Sequence, residues 1–180
     1  MNPELRKKLL ERMFSSPEYM RQMADYFDKA MVGLHESLEW FEQHPPQDVD
    51  WESWHISNKP EGWRMRAVPN LERLQRAIHE GIERVEKGGS DALIRTAANN
   101  IMALSRDMDV LGEKWWDYVP QDIAFKFGKN LGQAEQMAAN IYRTLGGGFA
   151  ARPGAILDEE ITGPVDEQQL LKYLKPGEHA

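Results

Sequence analysis

At 180 residues, with 41% hydrophobic and 28% charged residues, the chain has the size and composition of one ordinary globular domain and is neither disordered nor membrane-like by composition. Its formal net charge of −7 argues against non-specific nucleic-acid binding, which needs cations to neutralise phosphates. Cysteine is absent, which excludes disulfides, thiol nucleophiles, iron–sulfur clusters and thiolate zinc sites.

Asn2-Pro3-Glu4 opens a first short helix, predicted from Pro3 to about Phe14. Asparagine is a good N-cap, proline suits the first helical position, and glutamate favours the positive end of the helix dipole. Leu5, Leu9 and Met13 form its apolar stripe, and the surrounding Arg6, Lys7, Lys8 and Arg12 are expected to be a solvated face. Ser16-Pro17-Glu18 repeats the start signal for a long helix to about Gln43. There Tyr19, Met23, Phe27, Ala30, Leu34, Leu38 and Phe41 hold one face at helical spacing. Gly33 falls inside it, where glycine costs about 1 kcal/mol against alanine.

His44-Pro45-Pro46 ends that helix, because neither proline can donate a backbone hydrogen bond. A long connection is then expected from Gln47 to Pro69, carrying Trp51, Trp54 and Trp63. Loops of this length in compact domains are often functional, and aromatic anchors dominate interface hot spots. These tryptophans either pin the connection to the bundle or offer a binding surface.

A third helix is predicted from Leu71 to about Lys87, with Leu71, Leu74, Ile78, Ile82 and Val85 as its stripe and Gly88-Gly89 as its stop. Ser90 caps a fourth, predicted over Asp91–Tyr118, whose Ile94, Ala97, Ile101, Leu104, Met108, Leu111 and Trp115 step by three and four residues. Pro120 starts the fifth, running to Leu145, with Ile123, Phe127, Leu131, Ala134, Ala138 and Ile141 on one side. Gly128 and Gly132, four apart, suggest a close approach of another backbone.

Gly146-Gly147-Gly148 ends this helical domain, placed at residues 1–148. Residues 149–180 read as a C-terminal arm with three basic and six acidic residues. It is irregular over Phe149–Gly163, with a short amphipathic helix over Val165–Leu174. Leu170, Leu171 and Leu174 lie on one side of that helix and could enter a groove on a partner or on a second copy of the chain.

The fold class expected is all-α: a bundle of four long helices with a short N-terminal helix, a tryptophan-rich connection and an irregular arm. Core positions expected are Phe27, Leu34, Leu38, Ile78, Ile101, Leu104, Met108, Leu131 and Ile141.

Chemistry is harder to find. Helical bundles hold metals through inward Glu-x-x-His pairs, but no two of the five histidines are three or four apart, and the single such motif, Glu52–His55, falls in the connection. Arg73-Leu74-Gln75-Arg76-Ala77-Ile78-His79 has the Arg-x(4–6)-His spacing and so resembles ribonucleases of the HEPN family. The match covers seven residues and lacks the usual polar residue after the arginine. A two-residue pattern of variable spacing arises by chance in many helical chains, and no catalytic residue is assigned from it. No nucleotide-binding glycine motif is present.

The expected function is therefore a non-enzymatic protein-interaction module, an adaptor, regulator or inhibitor, with a homo-oligomer among its forms. No cofactor or metal is expected, nor a membrane partner. Candidate binding residues are Trp51, Trp54, Trp63, Trp115, Trp116 and Tyr118, together with Leu170, Leu171 and Leu174. Two alternatives are an enzyme or carrier with an apolar pocket enclosed by Trp115, Trp116, Tyr118 and the Trp51–Trp63 segment, and an acidic decoy of nucleic acid. With no apolar run near the ~20 residues of a membrane span and no secretory signal at Met1–Lys8, a cytoplasmic location is expected.

Overall fold

A computed structural model describes residues 1–108, 111–146 and 165–179. Among these the chain is all-helical, with no strand. Helix α1 spans Pro3–Phe14 and α2 Pro17–Gln43, as their start signals predict. Asn2 Oδ1 accepts from the amide of Glu4, and Ser16 Oγ accepts from that of Tyr19. Helix α3 is Val68–Glu86, α4 Ala92–Asp107, α5 Gln121–Leu145 and α6 Glu167–Leu171.

Helices α2 and α5 form the most extensive interface, with α3 and α4 packed beside them. Phe27, Leu34, Leu38, Ile78, Ile101, Leu131 and Ile141 are buried in this core. Leu104 and Met108, expected with them, are only partly covered and border a cleft instead. The four-long-helix part of the expected fold is thus altered in two places.

The third helix begins far earlier than Leu71. A helical turn at Pro60–Gly62 leads into a π-helical turn at Trp63–Ala67, which runs directly into α3. Lys59-Pro60-Glu61 is the same start signal as Pro3-Glu4 and Pro17-Glu18, and Lys59 is extended at ψ 152°, as a residue before proline should be. Pro69, the expected end of the connection, lies inside this continuous helical stretch. In a regular α-helix its ring would meet the carbonyl four residues back and its own hydrogen bond would be lost. The wider turn, in which the Val68 amide bonds to the Trp63 carbonyl, lets the chain pass through Pro69 without breaking.

The fourth helix, expected to reach Tyr118, ends at Asp107. Leu111, which continues the three–four spacing, is 95% exposed. Gly112 takes φ +92°, a left-handed conformation that glycine adopts freely, and the Asn58 side-chain amide donates to the Leu111 carbonyl at 3.0 Å. Trp115 then sits on a separate 3-10 turn, Trp115–Tyr118, and is buried. Its place among other aromatic rings outweighs the helical spacing.

The close-packing glycines are not the pair expected. A Cβ on Gly128 or Gly132 would meet nothing within 4 Å, whereas one on Gly33 of α2 would lie 2.6 Å from the Phe127 amide nitrogen of α5. Gly81 does the same for α3 against Ile94 of α4, at 2.7 Å.

A second, smaller core holds Leu5, Leu9, Leu10, Met13 and Phe14 of α1 together with Leu170 of α6. The expected solvated face of α1 is partly engaged: Arg12 forms two bonds to the Glu178 carboxylate, at 2.6 and 2.9 Å, and donates to the Tyr173 carbonyl at 3.0 Å. Arg6 lies 3.8 Å from Glu167. The irregular segment expected over Phe149–Gly163 lies outside the described residues.

Candidate functional site

The chain segments after α2 and after α4 meet at one end of the bundle, and six of the nine predicted binding residues meet there with them. Phe41, at the end of α2, has Trp51 edge-on at 5.3 Å, Trp54 at 6.5 Å and Trp115 at 6.4 Å. Trp54 tilts over Tyr118 at 5.6 Å. Trp63 packs edge-to-face on Trp116 at 4.9 Å and on Trp115 at 5.7 Å. Such edge-on pairs are the favoured aromatic geometry and add about 0.5–1.5 kcal/mol each beyond area burial.

The six residues do not share one environment. Trp63 and Trp115 are buried, so their rings act first as core. Trp51, Trp54, Trp116 and Tyr118 are partly exposed. Two polar atoms in this region, Asn58 Oδ1 and Trp115 Nε1, are buried with no hydrogen-bond partner among the described residues. Burial and the nearby carboxylates of Glu113, Asp117 and Asp48 push the Tyr118 hydroxyl above its ordinary pKa.

Beneath this corner lies a cleft of about 270 Å³. One wall is the π turn and the start of α3, with Trp63, Ala67 and Leu71. The opposite wall is the C-terminal end of α4, with Leu104 and Met108, and Trp116 closes one side. The widened turn and the early end of α4 therefore shape the two walls. Gly62 completes the base, since a Cβ there would lie 1.9 Å from the Ile56 carbonyl oxygen. The Trp63 indole donates to the Ser57 carbonyl at 3.0 Å and so fixes its ring against the cleft. Sequence reading found Trp63 and Trp116 but missed Leu71, Leu104 and Met108 as cleft residues. Their helical spacing marks a buried stripe and carries no sign of where that stripe is left uncovered.

The other three predicted residues are elsewhere. Leu170 is fully buried against α1, Leu174 packs at the edge of the same core, and Leu171 faces outward. Leu170 and Leu174 are thus engaged within the chain, whereas Leu171 does not share their side, and α6 is shorter than the expected Val165–Leu174. The Glu178 carboxylate that anchors this region is held well below the usual range, at about 2, by the Arg12 guanidinium and the Lys175 amide.

The Arg73–His79 spacing does not assemble a site. Arg73 bonds to the Asn70 side chain and His79 Nε2 lies 2.9 Å from Asp28 of α2, so the two side chains have separate partners. His35, His44 and His55 are exposed. Among the described residues no three histidine or acidic side chains converge as a metal site would require. No helix among them is long and apolar enough to cross a membrane. No protein-family model, curated protein or solved structure matches the chain.

Proposed function

We propose that this chain is a non-enzymatic helical binding protein that holds a small, largely apolar ligand in the cleft beneath the aromatic corner. The supporting observation is the cleft itself: about 270 Å³ bordered by Trp63, Leu71, Leu104, Met108 and Trp116, apolar side chains on helical walls. Pre-formed concave sites lined by apolar groups are where small ligands bind, and each Å² of apolar surface removed from water gains about 25 cal/mol. The features that favoured a protein partner are largely spent on internal packing, with Trp63 and Trp115 in the core and Leu170 against α1. Calorimetric titration with 1-octanol tests the reading. Saturable binding with a negative heat-capacity change is expected, and Ala67→Leu, which fills the cleft, should abolish it. Non-saturating uptake, or equal binding by Ala67→Leu, would remove the proposal.

A second reading keeps the protein-interaction module. It is favoured by Leu111, 95% exposed and tied through Asn58 to the segment that borders the cleft. A partner would insert one apolar side chain into the cleft and cover Leu111. Leu111→Ser should then weaken partner binding while leaving the octanol titration unchanged. Self-association belongs to this reading, and light scattering that gives a monomer at every concentration would remove it.

A further inference from the structure

The polar groups at the cleft sort in a way that its apolar lining does not require. Four polar side chains or backbone groups come into question: Ser57, Arg66, Asn70 and the Ser57 carbonyl. The Ser57 hydroxyl lies 2.6 Å from His55 Nδ1, and the Ser57 carbonyl accepts from the Trp63 indole. Asn70 accepts through Oδ1 from the Arg73 guanidinium, which leaves its amide NH2 to donate. Arg66 borders the cleft and, among the described residues, has no carboxylate partner. Its neighbour on the same π turn, Arg64, is fully engaged by both oxygens of Glu42, at 2.6 to 3.1 Å.

The one charged group on the cleft is the Arg66 guanidinium, and the Asn70 amide, with its NH2 still able to donate, stands on the same wall formed by the π turn and α3. An amine or other cation would be opposed by the positive charge of Arg66. A neutral alcohol would use one donor and leave the positive charge unmatched. A carboxylate accepts from both, and the guanidinium fork suits its two oxygens. A single cation balances one negative charge, which favours a monocarboxylate over a dianionic head group.

We propose that the cleft takes an amphipathic monocarboxylate, its apolar tail between Trp63, Leu71, Leu104 and Met108 and its carboxylate on Arg66 and Asn70. This rests on the apolar-ligand reading above and adds the class of ligand to it.

The test compares octanoate, 1-octanol and octylamine by calorimetric titration at pH 7, on the full chain and on Arg66→Gln and Arg66→Lys. Arg66 is exposed, and circular dichroism checks that each variant folds. Octanoate should bind more tightly than octanol, and octylamine should show no saturable binding. Arg66→Gln should weaken octanoate roughly tenfold, the size of one charge-assisted hydrogen bond, and weaken octanol far less. Arg66→Lys, which keeps the charge, should retain a large part of the affinity. Equal affinity for octanoate and octanol, or an octanoate affinity untouched by Arg66→Gln, would overturn the anionic ligand while leaving the apolar cleft intact. Failure of both octanol and octanoate to bind would overturn the two proposals together.

Discussion

Replacing Gly33 with alanine should destabilise the protein, although alanine is the better helix former. The added Cβ would lie 2.6 Å from the Phe127 nitrogen and 2.8 Å from the Lys126 carbonyl carbon, where ordinary contact begins at 3.4 Å. Both atoms are backbone of α5, so no side chain can swing aside, and α2 and α5 must separate by most of the missing distance. Overpacking of this kind costs about 1–3 kcal/mol. Against it stands the gain of about 1 kcal/mol from removing a glycine inside a helix. Gly128→Ala supplies the control, because its Cβ meets nothing within 4 Å and only the helix gain applies. The difference between the two variants therefore isolates the clash at about 1–3 kcal/mol. Urea unfolding followed by circular dichroism measures it, and each kcal/mol corresponds to about 2–4 °C in melting temperature for a chain this size. Equal stabilisation by both substitutions would refute the reasoning, since Gly33 would then be no contact at all.

Ile101→Ala should cost about 2–5 kcal/mol in the same unfolding assay because its side chain is fully buried, and Leu104→Ala should cost clearly less because it borders open space. Leu170→Asp should free α6 from α1, seen as lost hydrogen-exchange protection over residues 167–174, with a smaller effect on the main bundle. The ion pair of Arg12 with Glu178 has a defined pH response. The folded-state pKa of Glu178, about 2, lies below the ordinary carboxylate value of about 4.3, so its contribution is present above the higher value and is lost as pH falls through the lower one. Proton NMR of Tyr173, whose carbonyl accepts from Arg12, should report weakening of this contact across that window in the wild type. In Glu178→Gln the contact should be weaker at neutral pH, and the response across the window should flatten.

Helix starts were legible because proline followed by glutamate leaves a local signature, and α1 and α2 follow it to the residue. Local spacing could not show where tertiary contacts override it. The run Met108, Leu111, Trp115 has helical period, yet the place of Trp115 lies beside Trp63 and Phe41, and a left-handed Gly112 delivers it there. Pro69 falls at the expected end of the connection, and the π turn that carries the chain into the helix before it leaves no mark in the helical spacing. The aromatic residues of the candidate site could be named from composition and placement. The cleft could not, because it arises from two departures from regular helix that the spacing conceals. Glycines were legible as exceptions, but only the facing backbone distinguishes Gly33 from Gly128.

The most direct test of the central claim is methyl and indole NMR during titration with 1-octanol. Binding in the cleft predicts shifts at Leu71, Leu104, Met108 and the Trp116 indole that saturate together, with Leu9 and Leu170 of the second core unmoved. Shifts that fail to saturate, or that fall equally on Leu9 and Leu170, would contradict it.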